Sequence, residues 1–276
     1  MELNFDQVAH IEGVINYLEY SGKRPFTYMY TPPPGEPLCS APPIKHRVPI
    51  YDGRQVARDL TLDGAGFAFV HHETKFTNFY DPAEVQRLYY PEVAKLVMDY
   101  TGAIRAHVFD HNVRCQTKAK AGVPGVRGPV KFAHNDYTLK SGPQRVRDLM
   151  GAEADELLKH RYTQINVWRP IREPVEETPL GVCDARSMVQ DDFIPMDLRY
   201  EDRIGEIYVI NFSPRHRWIY FPRMRTNEVI LLKGFDSASD GRARFTGHTG
   251  FEDTTSLPDA LARESIEARM LVFFRD

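Results

Sequence analysis

The clearest periodic pattern of apolar residues lies between residues 81 and 101. Asp81 is a suitable N-cap, and Pro82 follows at the first helical position, where its missing N–H is tolerated. Gly102 ends the segment. The apolar residues fall at i, i+3, i+4 and i+7 and form one stripe: Val93, Leu96, Val97 and Tyr100. This spacing predicts an amphipathic helix, and a second helix is predicted over roughly 143–160.

Most of the remaining chain alternates between short apolar runs and clusters of glycine, proline and aspartate. Runs of this kind are typical of strands separated by turns. About nine are present: 60–71, 103–113, 163–169, 180–186, 206–212, 216–221, 228–235, 243–248 and 265–274. They predict a mainly β fold, an antiparallel sandwich or barrel, with flanking helices that pack outside a sheet.

Residues 22–58 are rich in proline and aromatic side chains and cannot form a long helix. We expect residues 1–58 to form an extended N-terminal arm that packs on the core. A chain of 276 residues can bury one large core or two small ones. We predict a single domain over residues 1–276, because many sandwiches and barrels reach this size undivided.

The composition is that of an ordinary globular protein, with 42% hydrophobic and 26% charged residues. A formal net charge of −3 and the lack of a basic cluster argue against nucleic acid as a partner. Three cysteines without a Cys-x-x-Cys pair indicate free thiols in a reducing compartment. We recognise neither a secretory signal nor an apolar run of membrane-spanning length, and therefore expect a cytoplasmic protein.

The run FAHNDYT at 132–138 places an imidazole and a carboxylate two residues apart. Because alternate side chains of a strand share one face, we expect His134 and Asp136 to point the same way and Asn135 to point opposite. With a second histidine, they would form the two-histidine, one-carboxylate triad that suits ferrous iron and leaves coordination positions open. His-x-Asp is a common chance pattern, so the assignment depends on the rest of the chain.

Two histidines are candidates for the third ligand. His216 opens a strand-like segment, although its neighbours Arg215 and Arg217 suggest a packed structural corner. His248 has glycines at 247 and 250, which would let the backbone fold close to a metal. Both histidines remain open on the local pattern alone.

Arg263 and Ser265 fall on one face of the predicted final strand, and Arg263 lies fifteen residues beyond His248. A guanidinium and a hydroxyl at this spacing form a clamp for a carboxylate, because arginine offers two parallel donors. The alternative for Arg263 is a surface ion pair with Glu264 or Glu267. His-x-Asp, a distal histidine and then Arg-x-Ser is the order found in double-stranded β-helix oxygenases that use iron and 2-oxoglutarate.

Several further motifs follow one another in the C-terminal part of the chain. In order, the motifs are AHNDYT (133–138), NVWRPI (166–171), PLGVCD (179–184), HRWIYFP (216–222), FDS (235–237), ARF (243–245) and RESIEAR (263–269). From about residue 100 to the C-terminus, the chain therefore resembles the hydroxylase/desaturase family, which includes fungal aspergillic-acid-type hydroxylases and the cephamycin methoxylation component CmcJ. A looser similarity extends upstream.

The resemblance implies a double-stranded β-helix, a jelly-roll and cupin-like core, over residues 103–276, with the helix at 143–160 inserted. It also implies a ligand set in which the iron is held by His134, Asp136 and His248. The distal carboxylate of 2-oxoglutarate would be bound by Arg263, with Ser265 assisting. His216 belongs to the family pattern too and stays open as the alternative metal ligand.

Four further residues receive implied roles. Arg169 and Arg269 are candidates for binding a carboxylate of the co-substrate or of the substrate. Tyr137 and Trp168 are candidates for the wall of a largely apolar substrate pocket beside the metal. For both residues an ordinary core position is an equal alternative.

The implied enzyme is a non-haem Fe(II)/2-oxoglutarate-dependent dioxygenase of secondary metabolism. It would use Fe(II), 2-oxoglutarate and O2 to oxidise a C–H bond of a small molecule, by hydroxylation, desaturation or oxidative cyclisation. A metal-dependent cupin-like hydrolase or isomerase is one rival hypothesis, and a non-catalytic accessory subunit is another. We expect neither nucleic acid nor membrane as a partner, and the extended N-terminal arm leaves a homodimer open.

Overall fold

The part of the chain that the structure describes, residues 5–40 and 42–275 of a computed structural model, folds into two β-sheets with short helices around them. The first strands are β1 (His10–Tyr17), β2 (Phe26–Tyr28), β3 (Ile44–Asp52), β4 (Phe67–His71), β5 (Arg105–Cys115), β6 (Val126–Arg127), β7 (His134–Asn135) and β8 (Tyr162–Pro170). The later strands are β9 (Leu180–Cys183), β10 (Phe193–Arg199), β11 (Ile204–Ile210), β12 (Trp218–Tyr220), β13 (Glu228–Asp236), β14 (His248–Gly250), β15 (Glu252–Asp253) and β16 (Glu264–Phe273).

The α-helices of these described residues are short. They are α1 (Pro82–Glu84), α2 (Tyr90–Thr101), α3 (Gln116–Lys120), α4 (Ser141–Met150) and α5 (Ala154–Leu157). A π-helical turn joins α1 to α2, and a 3-10 turn joins α4 to α5; they span Val85–Tyr89 and Gly151–Glu153. Further 3-10 turns occupy Phe5–Gln7, Gly53–Gln55, Ala57–Asp59, Ala185–Ser187 and Gln190–Asp192.

The larger sheet contains ten strands in the order β15-β1-β3-β12-β9-β14-β7-β11-β10-β2. Its neighbouring strands are antiparallel except for the pairs β3–β12 and β2–β10. The smaller sheet contains six strands in the order β4-β13-β8-β16-β5-β6, of which β5 and β6 are parallel. In both sheets the strand order departs from the chain order, as expected when a chain winds back and forth between two layers.

The two sheets share an apolar core. Tyr17 and Ile50 of the larger sheet belong to the same buried cluster as Leu271 and Phe273 of the smaller sheet, and Val146 of α4 joins it. Aromatic rings fill much of this space, which suits sheets that pack about 10 Å apart. The core therefore lies between the layers, at one end of the smaller sheet's central strands.

The central strands of the smaller sheet have an apolar outer face and a polar inner face. Val167 on β8 and Ala268 on β16 belong to the outer cluster that also contains Val97 of α2. Asn166 and Glu267 occupy the alternate positions and therefore point inward, although both are buried. Buried polar side chains are unfavourable without partners, and here Asn166 donates to Glu267 and to Asp136.

The predicted mainly β fold with flanking helices is confirmed. The helix predicted over 81–101 is present as α1, the π-helical turn and α2. The carboxylate of Asp81 accepts hydrogen bonds from the N–H groups of Ala83 and Glu84, and Gly102 ends α2 with φ 72°. The second predicted helix, at 143–160, corresponds to α4 and α5.

The expectation for the N-terminal segment needs a correction. β1 pairs with β3 over eight residue pairs, and β3 in turn pairs with β12, so both are strands of the larger sheet rather than an arm laid over it. The prolines of this segment suggested an extended arm, but Pro49 lies within β3, opposite Glu12 of β1. Residues 1–4, 41 and 276 lie outside the described residues, and the single-domain prediction stays a prediction.

Two strand predictions also need correction, and one strand was missed. The run 60–71 becomes a strand only at Phe67, because the N–H groups of Ala65 and Gly66 both bond to the carbonyl of Thr61 in a turn. Residues 243–247 join no strand ladder, and His248 is the first residue of β14. β10 was missed because Pro195 interrupts its apolar pattern.

Two remaining expectations concern helices and thiols. Among the described residues, no helix combines the length and the apolar character that crossing a membrane requires. Cys39, Cys115 and Cys183 are free thiols, as predicted from their spacing.

Candidate metal centre

Three potential metal ligands converge on the inner side of the larger sheet. They are His134 on β7, Asp136 immediately after it, and His248 at the start of β14. β7 and β14 are neighbouring strands, and His134 lies directly opposite His248 in their register. One ligand atom from each residue lies within 4.8 Å of the others. Two imidazoles and one carboxylate at this separation can hold a single metal ion.

Backbone carbonyls orient both imidazole rings. The Nδ1 atom of His134 lies 2.9 Å from the carbonyl oxygen of Phe132, and that of His248 lies 3.0 Å from the carbonyl oxygen of Thr246. A carbonyl only accepts, so each Nδ1 carries the proton and each Nε2 keeps its lone pair. Nε2 of His134 lies 3.6 Å from Oδ1 of Asp136. This tautomer is the one that metal-binding histidines use.

The electrostatics of the cluster favour a cation. Burial, and next to it the neighbouring His248, lowers the pKa of His134 to about 3. Burial alone would raise the pKa of Asp136, but His248, Arg269 and His134 together hold it below the ordinary value. The carboxylate is therefore ionised and the His134 ring neutral at physiological pH, the protonation states that metal binding needs.

Asn135 holds together the segments that carry the ligands. Its side chain is fully buried on the opposite side of β7 from His134. Its Nδ2 donates to the carbonyl oxygens of Tyr137 and Gly234, at 2.6 and 2.9 Å. Its Oδ1 accepts the N–H of Thr246 at 3.0 Å, two residues before His248. One amide thus links β7, β13 and the approach to β14.

Asp136 also contacts the smaller sheet. Nδ2 of Asn166 donates to Oδ2 of Asp136 and to Oε1 of Glu267, both at 2.7 Å. Asn166 is on β8 and Glu267 on β16. The carboxylate oxygen that faces His134 is therefore distinct from the one that Asn166 engages.

Arg263 and Ser265 are buried where β16 begins. Nη1 of Arg263 donates to the carbonyl oxygen of Thr178 at 2.6 Å, and Thr178 has the left-handed φ of 45°, unusual for a β-branched residue. Neither Nε of Arg263 nor Oγ of Ser265 has a hydrogen-bond partner among the described residues. A carboxylate would satisfy both atoms. Glu264 instead pairs with Lys118, so it is not the ion-pair partner of Arg263.

Arg114 adds a second, half-buried cation to this region. It lies opposite Ser265 in the β5–β16 register, and its Nη1 donates to the carbonyl oxygen of Gly128 at 2.9 Å. Burial, and next to it the charge of Arg114, lowers the pKa of Arg263 to about 9. Arg263 nevertheless remains charged at physiological pH, which a carboxylate clamp requires.

His216 lies apart from the cluster, in a structural corner. Its ring stacks on Tyr17, and its Nδ1 lies 3.2 Å from the Tyr17 hydroxyl. Its Nε2 lies 3.2 Å from Oδ2 of Asp192. Nδ1 therefore has a partner in the protein, and Nε2, although it makes no regular hydrogen bond among the described residues, lies beside Asp192 and away from the cluster.

The structure does not bring Arg169 into the centre. It lies on the outer side of β8, and its guanidinium bonds to Tyr89, His72 and Thr226. The guanidinium nitrogens of Arg169 therefore make hydrogen bonds within the protein. Arg269 points inward. Its guanidinium donates to the Asp110 carboxylate at 2.6 Å and is therefore already paired within the protein.

The two predicted pocket residues are both buried. The ring of Trp168 lies 5.5 Å from the guanidinium carbon of Arg263 and packs in the apolar cluster that contains Phe67. Tyr137 is part of the core between the sheets. Trp168 is therefore placed to support the Arg263 side chain.

The comparisons with known proteins agree with this geometry. The family model described as Oxidoreductase/YMDC permease-like domain matches residues 15–273. The Fe(II)/2-oxoglutarate-dependent dioxygenase nvfI of Aspergillus novofumigatus is 33% identical over 259 residues, which cover 91% of each chain. The hydroxylase/desaturase efuI of Hormonema carpetanum is 32% identical and covers 83% of this chain and 84% of its own. The chain belongs to the hydroxylase/desaturase family of Fe(II)/2-oxoglutarate-dependent oxygenases.

A solved structure extends the comparison to the fold. The iron and alpha-ketoglutarate-dependent endoperoxidase NvfI superposes with a TM-score of 0.88 at 28% identity, covering 98% of this chain and all of that one. The predicted double-stranded β-helix is confirmed. This oxygenase is an Fe(II)/2-oxoglutarate-dependent dioxygenase acting on a small molecule, so the hydrolase, isomerase and accessory-subunit hypotheses are set aside.

Sequence reasoning missed four residues that surround the candidate metal centre: Asn135, Asn166, Glu267 and Thr178. Two of them carry a signal that could have been used. Glu267 continues the period-two series from Arg263 through Ser265, and Asn166 precedes Trp168 by two residues on its strand. The role of Asn135 depends on segments distant in the chain, and that of Thr178 depends on a backbone carbonyl, so neither could be found from a local pattern.

Proposed function

We propose that His134, Asp136 and His248 hold the Fe(II) ion of this oxygenase and that Arg263 and Ser265 bind the distal carboxylate of 2-oxoglutarate. The convergence of the first three residues carries the proposal, since their ligand atoms lie within 4.8 Å of one another. Two neutral nitrogen ligands and one carboxylate form the set that suits non-haem Fe(II) and leaves positions open.

The unpartnered polar atoms support the second part. Nε of Arg263 and Oγ of Ser265 are buried donors without acceptors among the described residues, which is unfavourable unless a ligand supplies one. A carboxylate accepts from both. The carbonyl of Thr178 and the ring of Trp168 hold the guanidinium in place before the ligand arrives.

When bound, iron with 2-oxoglutarate and O2 supplies an oxidant strong enough for an unactivated C–H bond. The chain's residues do the rest. His134 and His248 present fixed nitrogen lone pairs, Asp136 presents one oxygen, and the Arg263 guanidinium fixes the far end of the co-substrate. Burial raises the pKa of Tyr137, so its phenol stays neutral, and we propose it as a wall of the substrate pocket.

We propose a substrate of the secondary-metabolite type, because the relatives nvfI and efuI are named dioxygenase and hydroxylase/desaturase. Hydroxylation, desaturation and oxidative cyclisation, as in an endoperoxidase, all begin at a C–H bond. The position of the substrate hydrogen relative to the metal decides among them. The cytoplasmic location and the homodimer stay predictions.

The test is an anaerobic titration with Fe(II) and 2-oxoglutarate, followed through the weak visible charge-transfer band of the chelate. We expect the band in the wild-type protein and its loss in the double variant His134→Ala with Asp136→Ala. Replacing His248 by alanine should abolish iron binding, whereas His216→Ala should retain it. Loss of iron in the His216 variant alone would contradict the ligand assignment.

The carboxylate clamp needs its own test. Arg263→Leu should raise the Kd for 2-oxoglutarate by about 100-fold, since a charge-assisted pair contributes roughly 1.5–3 kcal/mol. The matched control is Arg172→Leu, which removes a half-exposed arginine that pairs with Glu264. An unchanged Kd in Arg263→Leu would remove the clamp from the proposal.

A further inference from the structure

We propose that Asn166 and Glu267 are positioning residues for Asp136: Glu267 anchors the Asn166 amide, and that amide determines which oxygen of Asp136 faces the metal. The inference rests on the proposed function, because it takes Asp136 as an iron ligand. It adds a role for two buried residues that the ligand set leaves unexplained.

The geometry fixes the direction of the Asn166 amide. Its Nδ2 lies 2.7 Å from a carboxylate oxygen on each side, one from Asp136 and one from Glu267. Reversing the amide would place Oδ1 against two anionic acceptors, which is strongly unfavourable in a buried site. The two carboxylates therefore select one amide orientation between them.

Burial makes this arrangement rigid. Asn166 is 1% exposed and Glu267 8% exposed, so water competes little for these hydrogen bonds. Oδ1 of Asn166 has no partner among the described residues, so the amide is held through its donor side.

Arg114 supplies a charge of opposite sign near Glu267. Glu267 lies on the inner face of β16, beside β5, where Arg114 is half-buried and has one backbone hydrogen bond. Burial lowers the pKa of Arg114, and the charge of Glu267 is the leading influence that opposes this. The two charges therefore compensate each other while Oε1 of Glu267 accepts from Asn166.

The consequence for Asp136 follows from its two oxygens. Oδ2 accepts from Asn166, and Oδ1 is the oxygen near Nε2 of His134. With Oδ2 engaged, the carboxylate presents a single oxygen toward the cluster and cannot rotate freely. Partners that hold a ligand in this way typically change metal affinity by about 10–100-fold.

The first test compares Asn166→Leu with a control on the same strand face, Gln164→Met. Gln164 is also fully buried, but its amide donates to the carbonyl of Gly142 and does not touch Asp136. We expect Asn166→Leu to weaken Fe(II) binding by about 10–100-fold and to shift the charge-transfer band of the Fe(II)–2-oxoglutarate chelate. Gln164→Met should leave both near wild type, and equal Fe(II) Kd values and bands in the two variants would overturn the inference.

A second pair of variants keeps the test meaningful if Asn166→Leu folds poorly. Glu267→Gln retains an oxygen that can accept from Asn166, whereas Glu267→Met has none. We expect the glutamine variant to keep the Fe(II) affinity and the band position of the wild type, and the methionine variant to lose both. Equal affinities in these two variants would remove Glu267 from the mechanism. A wild-type protein that binds no Fe(II) would overturn the proposed function itself.

Discussion

Asn135 faces away from the proposed metal ligands, yet its amide connects the segments that carry both histidines. His134 and His248 are distant in the chain and meet only because β7 and β14 pair at one residue pair. So short a ladder offers few backbone hydrogen bonds. The three hydrogen bonds of the Asn135 side chain therefore help to hold the two strands in place. They are buried, so water does not compete for them.

We expect Asn135→Ala to destabilise the protein by about 2–4 kcal/mol, because it leaves two carbonyls and one N–H without partners in a dry interior. Urea unfolding at equilibrium measures the change. The control is Asn78→Ala, an exposed amide that bonds to Glu84, with an expected change of about 0.5 kcal/mol or less. Similar losses in both variants would mean that Asn135 does not hold the two segments together.

Gly250 lies against the proposed carboxylate clamp. A Cβ at this position would come 3.1 Å from both the carbonyl oxygen of Val130 and Cγ2 of Thr178, and 3.4 Å from Nη1 of Arg263. The added methyl group should push Thr178 aside, and the carbonyl of Thr178 holds the Arg263 guanidinium, so the guanidinium should shift with it. We therefore expect Gly250→Ala to raise the Kd for 2-oxoglutarate several-fold with little change in Fe(II) affinity. Gly64→Ala, which meets only a threonine hydroxyl, is the control, and calorimetric titration distinguishes the two.

The residue pattern predicted part of this centre. Strand periodicity placed His134 and Asp136 on one face, and the distal Arg-x-Ser pair directed attention to β16. The local residue pattern could not decide between His216 and His248 as the third ligand, because that choice depends on which strand pairs with β7. The resemblance also kept Arg169 as a candidate, but its guanidinium bonds to protein groups, whereas Arg263 keeps an unpartnered Nε among the described residues.

At the scale of elements, β16 of the smaller sheet contributes one face to the apolar core and the other to the candidate site. β16 presents Ile266 and Ala268 to the outer helix cluster and Ser265 and Glu267 to the inner face of the sheet. Its alternation of apolar and polar residues was visible in the sequence, although the sequence could not show that both faces are covered. Strands with internal proline, such as β3 and β10, were missed because pairing with neighbours outweighs their poor local propensity.

The cap of α1 should contribute to stability without affecting the metal centre. The Asp81 carboxylate accepts from two free N–H groups where the helical segment begins. We expect Asp81→Ala to lower the free energy of unfolding by about 1 kcal/mol and to leave the Fe(II) Kd unchanged. Asp99→Ala, which removes an exposed ion pair with Lys95, should cost about 0.5 kcal/mol or less. A changed Fe(II) Kd in Asp81→Ala would show that this helix is coupled to the site.

At the scale of the whole molecule, the proposed co-substrate site joins the two sheets. The metal ligands belong to the larger sheet, on and beside β7 and β14, whereas Arg263 and Ser265 lie at the start of β16 in the smaller sheet. Asn166 and Asp136 already form a protein contact across this gap. Iron and 2-oxoglutarate together would add a second connection, so their binding should stabilise the arrangement of the sheets.

We therefore expect 2-oxoglutarate, added to the Fe(II)-loaded protein under anaerobic conditions at 100 times its Kd, to raise the free energy of unfolding by about 2.7 kcal/mol. In Arg263→Leu, a 100-fold weaker Kd would leave only about 0.4 kcal/mol at the same concentration. Arg172→Leu should gain as much as the wild type. Urea unfolding with and without the co-substrate measures the increase in unfolding free energy for all three proteins. An equal increase in Arg263→Leu would show that the connection between the sheets does not pass through this guanidinium.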